Sequence, residues 1–182
     1  MIRGEKGEDR HIRMDNKNIR IINIFIASPG GLDRERKSAK LAIDEINKSN
    51  SQEWGCLFIL KGWEETLPGY ARPQHLINRD LDSCEYFFGV LWDHWGSPPK
   101  DPNNKFTSGF EEEFDRASKN FEKKEMKEVF LFFKDISEDK LRDAGPSLSR
   151  VLSFRNKIID EKQVFFKSFN NTDEFISHFR AA

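Results

Sequence analysis

The sequence lacks the features that mark membrane and secreted proteins. It holds no apolar run near the ~20 residues that a membrane-spanning helix needs, and its first residues include no apolar stretch of signal-peptide length. Its two cysteines, Cys56 and Cys84, stand at the starts of apolar runs and lack CxxC spacing, which favours two buried free thiols. We therefore expect a protein of the reducing cytoplasm that contacts no membrane.

Charge of one sign and ligand-binding motifs are also scarce. The 30 basic and 31 acidic residues give a net charge of −1, so no basic excess points to direct binding of nucleic acid. No cluster of His, Cys and Asp has metal-ligand spacing, so neither a metal site nor a resident cofactor is predicted. The glycine-rich patterns GxGxxG and GxxxxGK[ST] are absent as well.

Phenylalanine, by contrast, is abundant, with 17 residues. Many of them lie in short apolar runs bounded by polar residues, a pattern typical of buried strands. We predict five strands, at 18–27, 56–60, 85–92, 128–133 and 164–166.

Helical patterns separate these strands. The first helix is predicted to begin at Asp33, which offers an N-cap, and to stop within the polar stretch 47–52. Further helices are predicted at 73–81, from Ser108 past Phe121, at 147–160, and from a cap at Thr172.

The alternation of strands and helices predicts the fold class. It implies a parallel sheet covered on both faces. With right-handed crossovers, the expected architecture is a doubly wound, flavodoxin-like sheet of five strands in the order 2-1-3-4-5. We expect residues 18–182 to form this single α/β domain and the charged segment 1–17 to be a flexible tail.

In such sheets the ligand crevice lies beyond the carboxyl ends of the strands, at the switch point between strands 1 and 3. Strand 1 is followed there by the turn Ser28, Pro29, Gly30 and Gly31. Its glycines allow backbone N–H groups to approach a phosphate, although an ordinary tight turn between strand and helix has the same composition.

The loops after strands 2 and 3 add side chains suited to a nucleotide. Trp63, Tyr70 and Arg72 follow strand 2, whereas Trp95 follows strand 3 and precedes the small pair Ser108-Gly109. The aromatic rings are able either to stack on a flat base or to roof the core.

The helix that starts near Ser108 carries three consecutive glutamates. Its apolar stripe is predicted to consist of Phe110, Phe114, Ala117 and Phe121. At ~100° per residue, Glu112 then faces solvent, whereas Glu111 and Glu113 each reach the boundary of the buried face. A generic acidic first turn, stabilised by the helix dipole, is the alternative interpretation.

Three segments together resemble a known bacterial domain: IFIASPGGLDRER, GWEETLPGYARPQHLINRDLDSCEYFFGVLWDHWG and TSGFEEEFDRA. That domain, of undetermined function, commonly stands at the N-terminus of NACHT- or STAND-type signalling NTPases. It is distantly similar to TIR domains and to nucleoside 2-deoxyribosyltransferases. The resemblance spans about residues 19–117.

The resemblance implies a catalytic residue. In those enzymes a glutamate on the helix after strand 3 attacks or stabilises the anomeric carbon of a ribose, following a Ser/Gly turn and preceding an alanine by four residues. Glu113 has this position relative to Ser108-Gly109 and Ala117. Phe110 is a departure, because related sequences often carry threonine there.

The implied activity is cleavage of an N-glycosidic bond, with NAD as the substrate rather than a cofactor. The implied setting is an effector domain of bacterial anti-phage signalling that forms homo-oligomers or associates with an NTPase module. The alternative is a non-enzymatic module for nucleotide sensing or self-association. Such a module would show Glu113 occluded or paired with Arg34, Arg36 or Arg72.

Overall fold

Five parallel strands form one sheet in the order β2-β1-β3-β4-β5. The structure, a computed structural model, describes residues 19–62, 74–99, 104–161 and 164–182. The strands are β1 Arg20–Ala27, β2 Cys56–Lys61, β3 Tyr86–Leu91, β4 Glu128–Lys134 and β5 Phe166–Phe169. The predicted flavodoxin-like, doubly wound α/β architecture is confirmed.

Six helices accompany the sheet within the described ranges. They are α1 Asp33–Trp54, α2 Gln74–Asp82, α3 Gly109–Glu122, α4 Glu138–Arg142, α5 Pro146–Glu161 and α6 Thr172–Ala181. Residues of α1 and α6 pack on one face of the sheet, whereas residues of α2, α3 and α5 pack on the other.

The central strand β3 shows why the aromatic runs become strands. Phe87 and Leu91 face the layer of α2, α3 and α5, while Phe88 and Val90 face α1 and α6. All four side chains are buried. A strand covered on both faces exposes neither row of side chains to solvent, so its sequence is a continuous apolar run.

The first helix departs from the prediction at both ends. It continues to Trp54 and ends at Gly55, which has a left-handed φ of 64°, so the stop predicted at 47–52 is wrong. Asn47 does not break the helix, because its side chain exchanges two hydrogen bonds with the backbone of Phe58 on β2. Asp33 lies in the first turn, and Leu32 occupies the N-cap position.

Two further differences concern the second half of the chain. The fifth strand lies at Phe166–Phe169 rather than at 164–166, and the short helix α4 had no predicted counterpart. Thr172 begins α6, but the capping side chain is that of Asn171, which accepts a hydrogen bond from the Glu174 N–H.

The predicted apolar stripe of α3 fails at its last member. Phe110 and Ala117 are buried, but Phe121 is 42% exposed. Asn120 is buried instead, and its amide donates a hydrogen bond to Asp82. The helix ends at Glu122, and Met126 fills the core beyond it.

The cysteines and the terminal segment complete the comparison. Cys84 is buried and Cys56 partly buried, and both thiols are free. Burial raises the pKa of the Cys84 thiol to about 12. The charged segment 1–17 lies outside the described residues. Among the helices of the described part of the chain, none has the length and apolarity to cross a membrane.

Replacing Gly89 of β3 with alanine is expected to lower the free energy of unfolding by about 1–3 kcal/mol. A Cβ atom there would lie 2.6 Å from Leu131 Cδ2 and 3.2 Å from Phe110 Cε2, inside a packed core. Gly30→Ala is the matched control, because a Cβ at Gly30 meets nothing within 4 Å. Urea denaturation measures the free energy of unfolding of both variants. Equal stability of the two variants would contradict this packing.

Candidate functional site

The turn after β1, the loop after β3 and the start of α3 meet at the carboxyl edge of the sheet. A Cβ atom added at Gly96 would lie 3.6 Å from Ser108 Cβ and 3.7 Å from Pro29 Cβ. The Gly109 N–H donates to the Ser97 carbonyl at 3.1 Å. Since β1 and β3 are neighbours whose connections leave in opposite directions, these segments flank the switch point of the sheet.

The turn after β1 is braced by an arginine from α1. Arg36 Nη1 donates to Ser28 Oγ at 2.7 Å and lies within 3.4 Å of the Ser28 and Pro29 carbonyl oxygens. Its other terminal nitrogen pairs with Asp33. Pro29 is buried, while Gly30 and Gly31 are exposed. The turn is therefore fixed from within and presents its two glycines to solvent.

The start of α3 is closed by reciprocal hydrogen bonds. Ser108, fully buried, is the N-cap, and its Oγ accepts from the Glu111 N–H at 3.1 Å. The Glu111 carboxylate accepts in return from the N–H and the hydroxyl of Thr107, at 2.7 and 2.8 Å. This arrangement resembles a capping box, so Glu111 serves the helix terminus.

Glu113 lies on the flank of α3 that faces α2. Its side chain is only partly exposed, and burial raises its pKa to about 8. A hydrogen bond from the Gln74 side chain opposes this rise, whereas the nearby charge of Glu112 adds to it. Near neutral pH the uncharged carboxylic acid is therefore the main form in the free domain.

Glu112 does not face solvent, so that expectation is wrong. Its two carboxylate oxygens accept hydrogen bonds from the amides of Asn78 and Asn104, each at 2.6 Å. The helical wheel placed Glu112 on the side of α3 opposite the sheet and took no account of other neighbours. In the fold, α2 and the segment before Thr107 cover the flank of α3 that the wheel left open.

Trp95 is a core residue. It is 4% exposed and packs against Phe110 and Phe154. Its indole N–H donates to Thr107 Oγ1 at 2.7 Å, and its backbone N–H donates to Ser147 Oγ at 2.8 Å. Of the two weighed roles, its position fits roofing of the core. Trp63, Tyr70 and Arg72 lie outside the described residues.

A second polar cluster at the same edge was missed by the sequence analysis. Glu35 on α1 is 1% exposed, yet its carboxylate pairs with Lys134 Nζ at 2.9 Å. Thr172 Oγ1 lies 3.3 Å from the same carboxylate oxygen. Glu35 precedes Ala39 by four residues and Ala42 by seven, so helical phase alone places it on the buried face.

Two lysines from different elements lie over Trp92, just after β3. The ammonium groups of Lys134 and Lys140 lie 4.7 and 4.1 Å from its ring centroid. Lys140 also pairs with Asp93, whose other oxygen lies 2.6 Å from His94 Nδ1. Despite the cost of its burial, these contacts hold the pKa of the Asp93 carboxyl below its usual value.

Comparison with known proteins identifies the family. A family model matches residues 23–182. The chain belongs to DUF4062, a domain of unknown function. No curated protein matches it significantly. Within the described ranges, no group of three His, Cys, Asp or Glu side chains is placed to bind a metal ion. The family description names no activity for DUF4062, so the chemistry of the site has to be argued from its residues.

Glu113→Gln is expected to stabilise the fold, increasingly as the pH rises from 4.5 to 8.5. A carboxyl whose pKa is raised on folding holds its proton more tightly in the folded state. The unfolded chain releases that proton first, so the free energy of unfolding falls between pH 4.5 and about 8. Glutamine has no ionisable group, so it removes this fall in the free energy of unfolding. We expect a gain of roughly 2 kcal/mol at pH 8.5, less than a fully buried carboxylate would give.

Thermal or urea unfolding of both proteins at several pH values measures this difference. The matched control is Glu122→Gln, an exposed glutamate at the end of the same helix. Its difference from the wild type should not grow with pH. A pH-independent effect of Glu113→Gln would show that Glu113 ionises as in the unfolded chain.

Lys134→Met is expected to lower the free energy of unfolding by about 3–5 kcal/mol, because Glu35 would remain buried without its cation. Lys127→Met is the control, since the Lys127 ion pair with Glu85 is more exposed and worth less than about 1 kcal/mol. Adding Glu35→Leu to Lys134→Met should recover most of the loss. Equal losses in the two lysine variants would rule out a special role for the buried pair.

Proposed function

We propose that this DUF4062 domain is TIR-like and cleaves the N-glycosidic bond of NAD or a related nucleotide, with Glu113 beneath the ribose. The supporting observation is a partly buried carboxyl group on α3, one helical turn beyond the helix start that lies close to the β1 turn. The described residues include no arginine paired with it. Arg36 is engaged by Ser28 and Asp33 instead.

The electrostatics of Glu113 suit such a reaction. Loss of nicotinamide from NAD leaves positive charge on the ribose carbon and ring oxygen. A carboxylate beneath the sugar stabilises that charge or captures the carbon covalently, and nicotinamide leaves without a strong general acid because it departs from a cationic state. A cation placed beside Glu113 lowers its pKa, so the bound substrate itself favours the reactive carboxylate.

The remaining candidate residues complete the proposal. The Ser28–Gly31 turn would hold the phosphates, with its exposed glycines nearest to them. Ser108 and Gly109 would shape the wall of the site at the start of α3. Trp95 would support that wall from the core. Trp63, Tyr70 and Arg72, which lie outside the described residues, are the candidates from the sequence for contacts with the nucleotide.

The biological setting follows the resemblance. We propose an effector domain of bacterial anti-phage signalling, active as a homo-oligomer or within a chain that carries a STAND-type NTPase. The competing role is a nucleotide-sensing or self-association module without turnover. Occlusion of Glu113 or an arginine pair on it would favour that role: the Glu113 side chain is partly buried, and the described arginines form no pair with it.

Glu113→Gln should reduce nicotinamide release from NAD by at least about 100-fold, because the amide carries no charge to stabilise the developing cation. Release is followed by chromatography with the protein at high concentration. Glu122→Gln should keep the wild-type rate. For the wild type, kcat/KM should rise with pH towards a plateau above pH 8, as Glu113 loses its proton.

Two outcomes would contradict the proposal. Activity that survives Glu113→Gln would assign the chemistry to another residue. Stoichiometric NAD binding by calorimetry, with no release by the assembled protein, would identify a sensing module.

A further inference from the structure

Two ammonium groups and a glycine turn border the same indole ring at the carboxyl edge of the sheet. Lys134 Nζ, at the end of β4, and Lys140 Nζ, on α4, lie 4.7 and 4.1 Å from the ring centroid of Trp92. A Cβ atom added at Gly31 would lie 3.8 Å from Cε3 of the same ring. Trp92 therefore connects the exposed turn after β1, which the proposed function assigns to phosphates, with two cations carried by β4 and α4.

The charge of Lys134 is committed to the fold. Its ammonium group lies 2.9 Å from the carboxylate of Glu35, a residue that is 1% exposed. If Lys134 turned towards a ligand, this buried carboxylate would lose its cation, at a large cost in stability. The position of Lys134 beside Trp92 is therefore explained by Glu35 alone.

Lys140, by contrast, is placed to change partners. Its side chain is 45% exposed and pairs with Asp93, whose other carboxylate oxygen lies 2.6 Å from His94 Nδ1. In the tautomer protonated at Nδ1, His94 remains a hydrogen-bond donor to Asp93 when Lys140 turns away. All the residues of α4, Glu138–Arg142, are exposed, so a shift of Lys140 disturbs no buried side chain of that helix.

We propose that Lys140 is a ligand-binding residue that contacts the diphosphate of a nucleotide held at the Gly30–Gly31 turn, and that Asp93 binds its ammonium group in the free domain. The assignment rests on the proposed function, because it takes the nucleotide phosphates to lie at that turn. A phosphate oxygen accepts from an ammonium group as a carboxylate does, so the ligand replaces one anionic acceptor with another. Lys140 thereby discriminates nucleotides from nucleosides that carry no phosphate.

The two partners of this ion pair have opposite effects on binding. Lys140→Met removes the cation and should weaken ADP binding roughly tenfold, which is the size of one hydrogen bond to a charged group. Lys140→Arg keeps the charge and should stay within about threefold of the wild type. Asp93→Asn removes the competing anion and should strengthen ADP binding severalfold, because Lys140 no longer gives up a charged partner to reach the phosphate.

These opposite signs separate ligand binding from a structural role. If the pair only stabilised the edge of the sheet, its loss from either side would loosen the same segment, and both Lys140→Met and Asp93→Asn would weaken binding. Arg142→Met is the matched control, because it removes a cation of the same helix that is 75% exposed and pairs with Glu138. It should leave ADP binding unchanged. Adenosine, which carries no phosphate, should bind equally to all variants.

The experiment is titration calorimetry of the wild type and these variants with ADP and with adenosine, with thermal unfolding to establish that each variant is folded. A wild type that does not bind ADP, or a Lys140→Met variant that binds it as the wild type does, would overturn the proposal. Weaker ADP binding by Asp93→Asn would identify the pair as structural and would overturn it as well.

Turnover gives a second readout and separates this proposal from the proposed function. Lys140→Met should raise KM for NAD roughly tenfold at unchanged kcat, and it should leave kcat/KM for nicotinamide riboside, which lacks phosphate, at the wild-type value. If ADP binding depends on Lys140 but no nicotinamide is released, the proposed function fails and the phosphate contact stands. If the wild type and Lys140→Met cleave NAD with the same KM, the function stands and the contact is wrong.

Discussion

The close approach of α3 to the sheet depends on one strand position without a side chain. At Gly89 the ring of Phe110 lies directly over β3, and any Cβ there would collide with Leu131 and crowd that ring. Phe110 is the second residue of α3, so its contact fixes the first turn of the helix. Ser108 caps this turn, and Glu111 and Glu113 lie within one turn of Phe110, so the contact contributes to the position of all three residues.

The polar groups at the carboxyl edge divide into two sets with different surroundings. On the face of α1 and α6, buried carboxylates meet lysines that also cover Trp92, so charge is neutralised pair by pair. On the face of α2 and α3, the Glu112 carboxylate accepts hydrogen bonds from two amides instead, and the Gln74 amide opposes the rise in the pKa of Glu113. Amides donate hydrogen bonds without bringing a counter-charge, which leaves Glu113 responsive to a cation from outside. The first set stabilises the edge of the sheet, and the second includes Glu113, the proposed reacting group.

The sheet was predictable because its strands are buried on both faces, and such strands appear in the sequence as short aromatic runs between polar turns. The ends of elements were less predictable, because tertiary contacts decide them. Asn47 was interpreted as a helix stop. Its side-chain amide instead forms hydrogen bonds with β2, and the helix continues until its C-cap at Gly55. Phe121 has the helical phase of the buried stripe, yet it is exposed near the end of α3, where Met126 is buried instead.

The site was predictable only in part, for a related reason. Helical phase located Glu113 on the boundary of α3, but a wheel drawn against one sheet cannot include α2, which covers Glu112. The Lys134–Glu35 pair joins residues 99 positions apart and has no local signature beyond a charged residue at a buried helical position. The resemblance added the expectation for Glu113 but nothing about Asn78, whose hydrogen bond to Glu112 appears only in the fold.

The contact between Arg36 and Ser28 also orients the hydroxyl group of the β1 turn. In that hydrogen bond the guanidinium supplies the proton, so Ser28 Oγ is the acceptor. The proton of the serine hydroxyl must then point to a different acceptor. A hydroxyl oriented in this way donates a hydrogen bond to an oxygen that carries lone pairs, such as a phosphate oxygen. It is a poorer acceptor for an ammonium or amide N–H group. Under the proposed function, Arg36 would set this preference for a phosphate oxygen without contacting the nucleotide.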